Sequence, residues 1–591
     1  MADTTTRHMR HYYTLLAEAP GAALAPVQKS RSGLLRWLEQ IQDKLLHDIS
    51  PGLRRAPHVR GAKVAIDYLL DAIIREGTLG SLTMVVPQSK LAGFREWLDK
   101  RSEGHEAPQL QVLSTSSLTE KGSEMLRPDV WINLDGDGIL TNRIRYHLSE
   151  TVFPTITVQH GLSAHNLLYD RYTRILMSPH YATDSFVCTS EACKNALQNI
   201  FSQISERLAS SLNVRLTFKG RLDVIPLCVD TETFKPRDKA KLRAGLRIPP
   251  NSCVLLYVGY LSQVKADLLP LLSVLKRLIA NNPTIPILLV IVGTGLQSYR
   301  VTLEKALGRL HLSKYVHLIY DAPDAIKCDL YGAADIFVAP CDSLQESFGL
   351  TPVEAMASGL PQVVADWSGY RETVSDGITG FLIPTWWGKA DTDMHITGDI
   401  YGWPYDHIVQ GQAVVLDLDQ LFERLQLLIR QPELRRQMSE ASRARALERF
   451  SYRVVANHYD CLIDDLTAHV DPRSGDRTPQ FDDPAYFENF RHYATRCLDE
   501  QTIIRRARQT EFSLAELIQG ASVDISEAPV LREKILTEIL NTVSAKGEGT
   551  RVYSVLERLA PFANNGAHSR TTTMRHILFL IKHGVLSVQD E

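Results

Sequence analysis

No apolar run in this chain is long enough to cross a bilayer. The longest, IPILLVIVG at 285–293, falls far short of the roughly 20 residues a spanning helix needs. Charge of one sign is not in excess either. Sixty-five Lys and Arg stand against 68 Asp and Glu, a formal net charge of −3, which gives no reason to expect a nucleic-acid partner. Cysteine is sparse, eight in 591 residues, and lacks the paired spacings of a metal site or a disulfide framework. The opening stretch, MADTTTRHMRHYYTLLAEAP, has no apolar core of the kind a secretory signal carries. The expectation is a cytoplasmic protein with reduced thiols and no transmembrane segment.

What is present is ordinary globular composition, 44% hydrophobic and 23% charged. The length allows two large domains and a further module. Apolar strand-like runs alternate with amphipathic helical patterns, as in LTMVVP, QLQVLS, DVWINLD and FPTITVQHG of the first half. That alternation predicts doubly wound parallel sheets. Residues 1–50 show helical periodicity, as in LLRWLEQIQDKLLHDI, and read as a helical cap on the first domain.

One stretch organises the rest: QESFGLTPVEAMASGLPQVVADWSGYRETVSDGITGFLIP, Gln345 to Pro384. It follows DIFVAPC, which reads as a buried parallel strand. Glu346 falls at that strand's C-terminal end, and Glu354 follows eight residues later on a helix carrying Pro352 near its start. Two carboxylates therefore border one crevice beside a helix N-terminus, whose free N–H groups favour an anion. Such a crevice suits a ligand with hydroxyls and phosphates together, such as a nucleotide sugar.

Glu346-x7-Glu354, the SFGLTPV between them, EAMASGLPQVVAD, Gly369, Glu372 and GITGFLIP together resemble the retaining glycosyltransferases of family 4, of GT-B fold. The resemblance covers residues 150–470 well and 55–150 weakly. It implies two Rossmann-like domains facing a cleft, a first domain at 51–234, a nucleotide-sugar domain at 235–450 and a helix at 451–472 crossing back. Residues 473–591 lie beyond it and read as a helical extension of unknown role, opened by the linker DPRSGDRTPQFDDP and ending in a piece suggestive of a helical adaptor or winged helix.

The resemblance also assigns roles. Glu354 would bind the donor ribose and Glu346 the sugar hydroxyls. Backbone N–H groups of Phe348, Gly349 and Leu350, with Ser347 beside them, would hold diphosphate and sugar. In GYLSQVK, Gly259 to Lys265, the family carries an Arg where this chain has Tyr260, but Lys265 is kept to neutralise the leaving diphosphate. His160 would approach the anomeric carbon at the end of its strand, with Gly161 after it and His165 a weaker competitor. Ser190 and Glu191 would border the cleft, and Gly61 would stand in for a glycine loop before the first helix. Cys228 takes the place of a glycine usual in the family. Asp135 and Asp137 could hold a metal but are expected to be a polar loop. No cofactor is implied, the donor being a substrate, and the acceptor is left open. A Trp-rich insertion, 385–412, is either a surface flap or an acceptor platform.

The activity implied is retaining sugar transfer from a UDP- or GDP-sugar to a hydroxyl. The alternatives are a non-catalytic GT-B scaffold binding a partner through its C-terminal helices, or a GT-B phosphorylase or epimerase. The absence of a pyridoxal-phosphate lysine segment argues against the phosphorylase.

Overall fold

The computed structural model describes residues 11–15 and 60–589 apart from short stretches, the longest being 103–108, 119–127, 471–485 and 522–530. Two α/β lobes and a smaller C-terminal module make up the described residues. The first lobe is built on seven parallel strands: β1 (His11–Leu15), β2 (Ser81–Val86), β3 (Gln109–Ser114), β4 (Val130–Asn133), β5 (Thr155–Gln159), β6 (Ser185–Cys188) and β7 (Arg221–Val224). Their order is β3-β2-β1-β4-β5-β6-β7. The second lobe has six parallel strands: β8 (Cys253–Val258), β9 (Ile287–Gly293), β10 (Val316–Tyr320), β11 (Ile336–Ala339), β12 (Gln362–Ala365) and β13 (Gly380–Ile383). Their order, β10-β9-β8-β11-β12-β13, repeats that of the first six strands of lobe one. In both sheets the order reverses beside the first strand, which is where a doubly wound sheet opens its ligand crevice.

The N-terminal expectation needs correcting. His11–Leu15, within the expected helical cap, is the strand at the reversal point of the first sheet, in register with Ser81–Val85 on one side and Val130–Asn133 on the other. HYYTL is rich in aromatic and β-branched residues, which favour a strand flanked by partners on both sides. The helical periodicity further along lies outside the described residues, as does the linker at 471–485.

The helices that build the site are α1 (Arg60–Glu76), α2 (Glu191–Leu212), α3 (Asp324–Ala333), α4 (Leu350–Ala357), α5 (Trp403–Ala413), α6 (Pro432–Arg449) and α7 (Tyr452–Ala468). Tyr452, Val455, Tyr459, Leu462, Ile463 and Leu466 of α7 are buried in the core of the first lobe, among residues of α1 and its sheet. The chain thus returns to the lobe it began in. The two crossings touch, with Val229 N–H donating to Phe450 O at 2.8 Å.

The Trp-rich insertion folds as a two-stranded antiparallel hairpin, β14 (Thr385–Trp387) and β15 (Val414–Leu416), with α5 between its strands. The C-terminal module is not purely helical. It pairs three strands, β16 (Ile503–Arg506), β17 (Thr550–Arg551) and β18 (Leu586–Val588), in an antiparallel sheet of order β17-β16-β18. Against it pack α8 (Glu533–Thr542), α9 (Val552–Leu559) and α10 (Gly566–Lys582), and their buried core draws only on residues 504–586. Short strands of two to four residues carry too little periodicity to stand out in sequence. Among the described residues no helix is long and apolar enough to cross a membrane.

Candidate active site

β11 ends at Ala339, and the chain from Pro340 to Gly349 loops over the C-terminal edge of the second sheet before entering α4. Gly349 is the helix N-cap and sits at φ +99°, a region where a side chain is strained. A Cβ there would also come within 2.2 Å of the Tyr370 ring. The backbone N–H groups of Phe348, Gly349 and Leu350 make no backbone–backbone hydrogen bond among the described residues, as is usual at a helix start. The phenyl ring of Phe348 is buried against Phe450, centroids 5.8 Å apart, and Glu346 is half-buried on the same loop.

The lysine loop comes from the neighbouring strand. Gly259 follows β8 directly, and the turn after β9 presses on it: a Cβ on Gly293 would lie 1.8 Å from Gly259 O. Tyr260 and Lys265 are half-buried. Asp342 stands near this loop and accepts Asp267 N–H at 3.2 Å; burial pushes its carboxyl up to about 7.

The first lobe meets this edge at the end of β5. Ser347 Oγ donates to the His160 carbonyl at 3.2 Å. The imidazole of His160 makes no hydrogen bond of ordinary geometry, and burial pulls its pKa down to about 4 against a weaker opposing pull from Leu134. It is therefore neutral at physiological pH. Gly161 lies near Gln345, where a Cβ would be 4.0 Å from Cγ. Ser190 caps α2 and donates to Ser347 O at 2.6 Å. Glu372 reaches across from the second lobe and accepts from the N–H groups of Glu191 and Ala192 at 2.9 and 3.0 Å. A carboxylate at a helix N-terminus satisfies two orphan donors and faces the positive end of the dipole. Ser190, Glu191, His160 and Gly161 thus converge on the loop that carries Glu346, Ser347 and Phe348.

Glu354 is placed differently from a simple open ligand site. Its side chain is 1% exposed and already holds three donors: Tyr68 Oη at 3.0 Å, Lys327 Nζ at 3.2 Å and Tyr331 Oη at 2.9 Å. Tyr68 belongs to α1 of the first lobe. Burial would lower the Lys327 pKa, but the Glu354 charge overrides it and the net shift is upward. Lys327 and Tyr331 stand four residues apart on α3, one face of a helix, and that spacing was the only sign of them in the sequence. Glu372, Tyr68 and His407 of α5 were also missed as site residues.

Gly61 departs from expectation. It lies in the first turn of α1, exposed, with open space around its Cβ position, because the helix starts one residue before it. Cys228 is 1% exposed at the crossing between lobes, packed in the first core rather than lining a backbone-to-ligand contact. Asp135, Asp137 and His165 lie outside the described residues. All eight cysteines are free thiols.

Two Rossmann-type lobes facing each other across strand C-terminal edges, with the last helix crossing back, are the GT-B fold. The family model described as Glycosyl transferases group 1 matches residues 238–388, within the second lobe. Over 172 residues the chain is 35% identical to the D-inositol 3-phosphate glycosyltransferase of Streptosporangium roseum, 28% of this chain and 38% of that protein. Over 169 residues it is 34% identical to the Nocardia farcinica protein of the same name, 28% and 37%. The chain thus spans less than half the length of these relatives. Among solved structures, Anabaena HepE in complex with UDP and glucose aligns at TM-score 0.47 and 16% identity, over 77% of this chain and 100% of that one.

Proposed function

We propose that the protein is a retaining glycosyltransferase. It moves a sugar from a UDP- or GDP-sugar to an acceptor hydroxyl and forms an α-glycosidic bond. The observation that carries this reading is the junction of Ser347 with the His160 carbonyl at 3.2 Å. It brings a neutral imidazole from one lobe to the edge where the other offers Glu346, Lys265 and the open N–H groups before α4.

In this reading the diphosphate lies on the N–H groups of Phe348, Gly349 and Leu350, and Lys265 neutralises it as it departs. The compact ammonium acts there without the second cation, since Tyr260 brings none. Glu346 binds sugar hydroxyls, and neutral His160 hydrogen-bonds the sugar beside its anomeric carbon. Retention requires attack from the leaving-group face. A diphosphate oxygen takes the acceptor proton as the C–O bond to the diphosphate breaks and the new one forms, so no protein nucleophile is used. No metal enters the scheme. Ribose hydroxyls would replace the Tyr68 phenol on Glu354, which requires the lobes to part before the donor enters and close again before reaction. The protein works where nucleotide sugars are made, in the cytoplasm.

A second reading, a non-catalytic scaffold, is favoured by Tyr260 and by the filled carboxylate of Glu354. Donor turnover separates the two. His160→Ala and Lys265→Ala should each lower kcat by about 10²-fold or more. Nucleoside affinity should change little in the histidine variant. Near-normal turnover in His160→Ala would show that this histidine is structural.

A further inference from the structure

The insertion 385–416 touches three loops of the site just described: those that carry His160, Lys265 and Glu346. His407, on α5, is 1% exposed. Its Nε2 lies 3.1 Å from the Ser163 carbonyl and 2.9 Å from Ser163 Oγ, across the cleft in the first lobe. Burial pulls its pKa down to about 4, with the Ser163 carbonyl opposing and the nearby Lys265 charge adding to the fall. With its hydrogen on Nε2, the tautomer that suits a carbonyl neighbour, the neutral ring donates to Ser163 O. Ser163 is three residues beyond His160, whose own carbonyl is held by Ser347. The His160–Ser163 loop is thus gripped at both ends by the second lobe.

One turn further along α5, Gly411 lies beside the other two loops. A Cβ there would lie 3.6 Å from Asp342 O and 3.8 Å from Gln263 O. The hairpin end leans on the glutamate loop as well. Trp387 meets Trp367 edge to face at 5.8 Å, Trp367 Nε1 donates to Ser343 O at 2.9 Å, and Ser343 O also accepts Glu346 N–H at 3.2 Å.

We propose, resting on the glycosyltransferase reading, that His407 is a positioning residue: it seats the His160 loop over the donor edge, and the insertion is a fixed brace on the reaction centre rather than a surface flap. A side chain that only filled space would not need one buried donor aimed at the main chain of the opposite lobe.

The test uses the full chain and the His407→Ala and His407→Gln variants. Hydrogen–deuterium exchange is read peptide by peptide, and donor hydrolysis and nucleotide affinity are measured alongside. In His407→Ala the amides around 160–163 should exchange at least tenfold faster, while those of β8 and β11 stay unchanged. Turnover should fall by about 10- to 100-fold, the cost of a misplaced group, with nucleotide Kd within about twofold. Gln, whose amide can reach the same carbonyl, should restore most of both. Unchanged exchange at 160–163 would overturn the proposal, and so would a rise spread evenly over both sheets. If the wild type turns over no nucleotide sugar, the glycosyltransferase reading fails, but the exchange result still decides whether His407 positions the loop.

Discussion

The phenol of Tyr68, on α1 of the first lobe, donates to Oε1 of Glu354 on α4 of the second at 3.0 Å. With Lys327 and Tyr331 on the same carboxylate, it makes Glu354 a joint between lobes as well as a candidate ribose ligand. A carboxylate offers about four acceptor sites, so three donors leave little free.

Glu354→Ala should therefore do two things at once. It should weaken nucleotide binding by about 1.5–3 kcal/mol, the value of a hydrogen bond to a charged group. It should also destabilise the fold by about 3–5 kcal/mol, because Lys327 loses its counter-charge in a largely buried position. Tyr68→Phe removes one neutral donor and should cost only about 1 kcal/mol. Denaturant unfolding of both variants beside calorimetric nucleotide titration checks this. Equal stability losses in the two would show that Glu354 is not the centre of the network.

Lobe architecture and the Glu346 loop were legible in sequence because they rest on local patterns. Buried strands read as short apolar runs, and Gly349 and Pro352 mark a loop entering a helix. The partners of Glu354 were not legible, since Tyr68 and Glu354 lie 286 residues apart and nothing local marks a tyrosine as an inter-lobe donor. β1 was hidden for another reason: five residues amid helical periodicity carry no strand alternation long enough to register. The C-terminal sheet failed to register likewise.

Stability should fall on acidification below pH 6.5. Burial holds His160, His180 and His407 at about 4, well under the ordinary 6.5. Between those values the unfolded chain binds more protons, so the stability present above pH 6.5 is lost as pH falls toward 4. Asp67 and Asp342 work the other way. Burial raises them to about 6 and about 7, so the folded carboxyls take up protons first and gain stability as pH falls from 7. Asp342→Asn removes one of these gains. Its thermal midpoint should drop more steeply than that of the wild type between pH 7 and 5; parallel curves would refute the buried-acid account of Asp342.

Residues 486–589 should be separable from nucleotide binding. Their core is made from residues 504–586 alone, so cutting near residue 480 leaves the two larger cores intact. The shortened chain should bind nucleotide with unchanged Kd by calorimetry. If it folds but no longer binds, the module belongs to the catalytic body.

Turnover should survive EDTA. In the proposed scheme Lys265 and the N–H groups before α4 would supply the charge stabilisation that a divalent ion could otherwise provide. Complete loss of activity in chelator, restored by Mn²⁺, would return Asp135 and Asp137 to consideration as ligands.

The central claim is a retaining transfer driven from the diphosphate side. Proton NMR of the sugar released from α-configured UDP-, GDP- and ADP-sugars, read before mutarotation, tests it most directly. The α-anomer should appear first from at least one donor and should be lost in Lys265→Ala. A β-anomer appearing first, or no consumption of any donor, would contradict it.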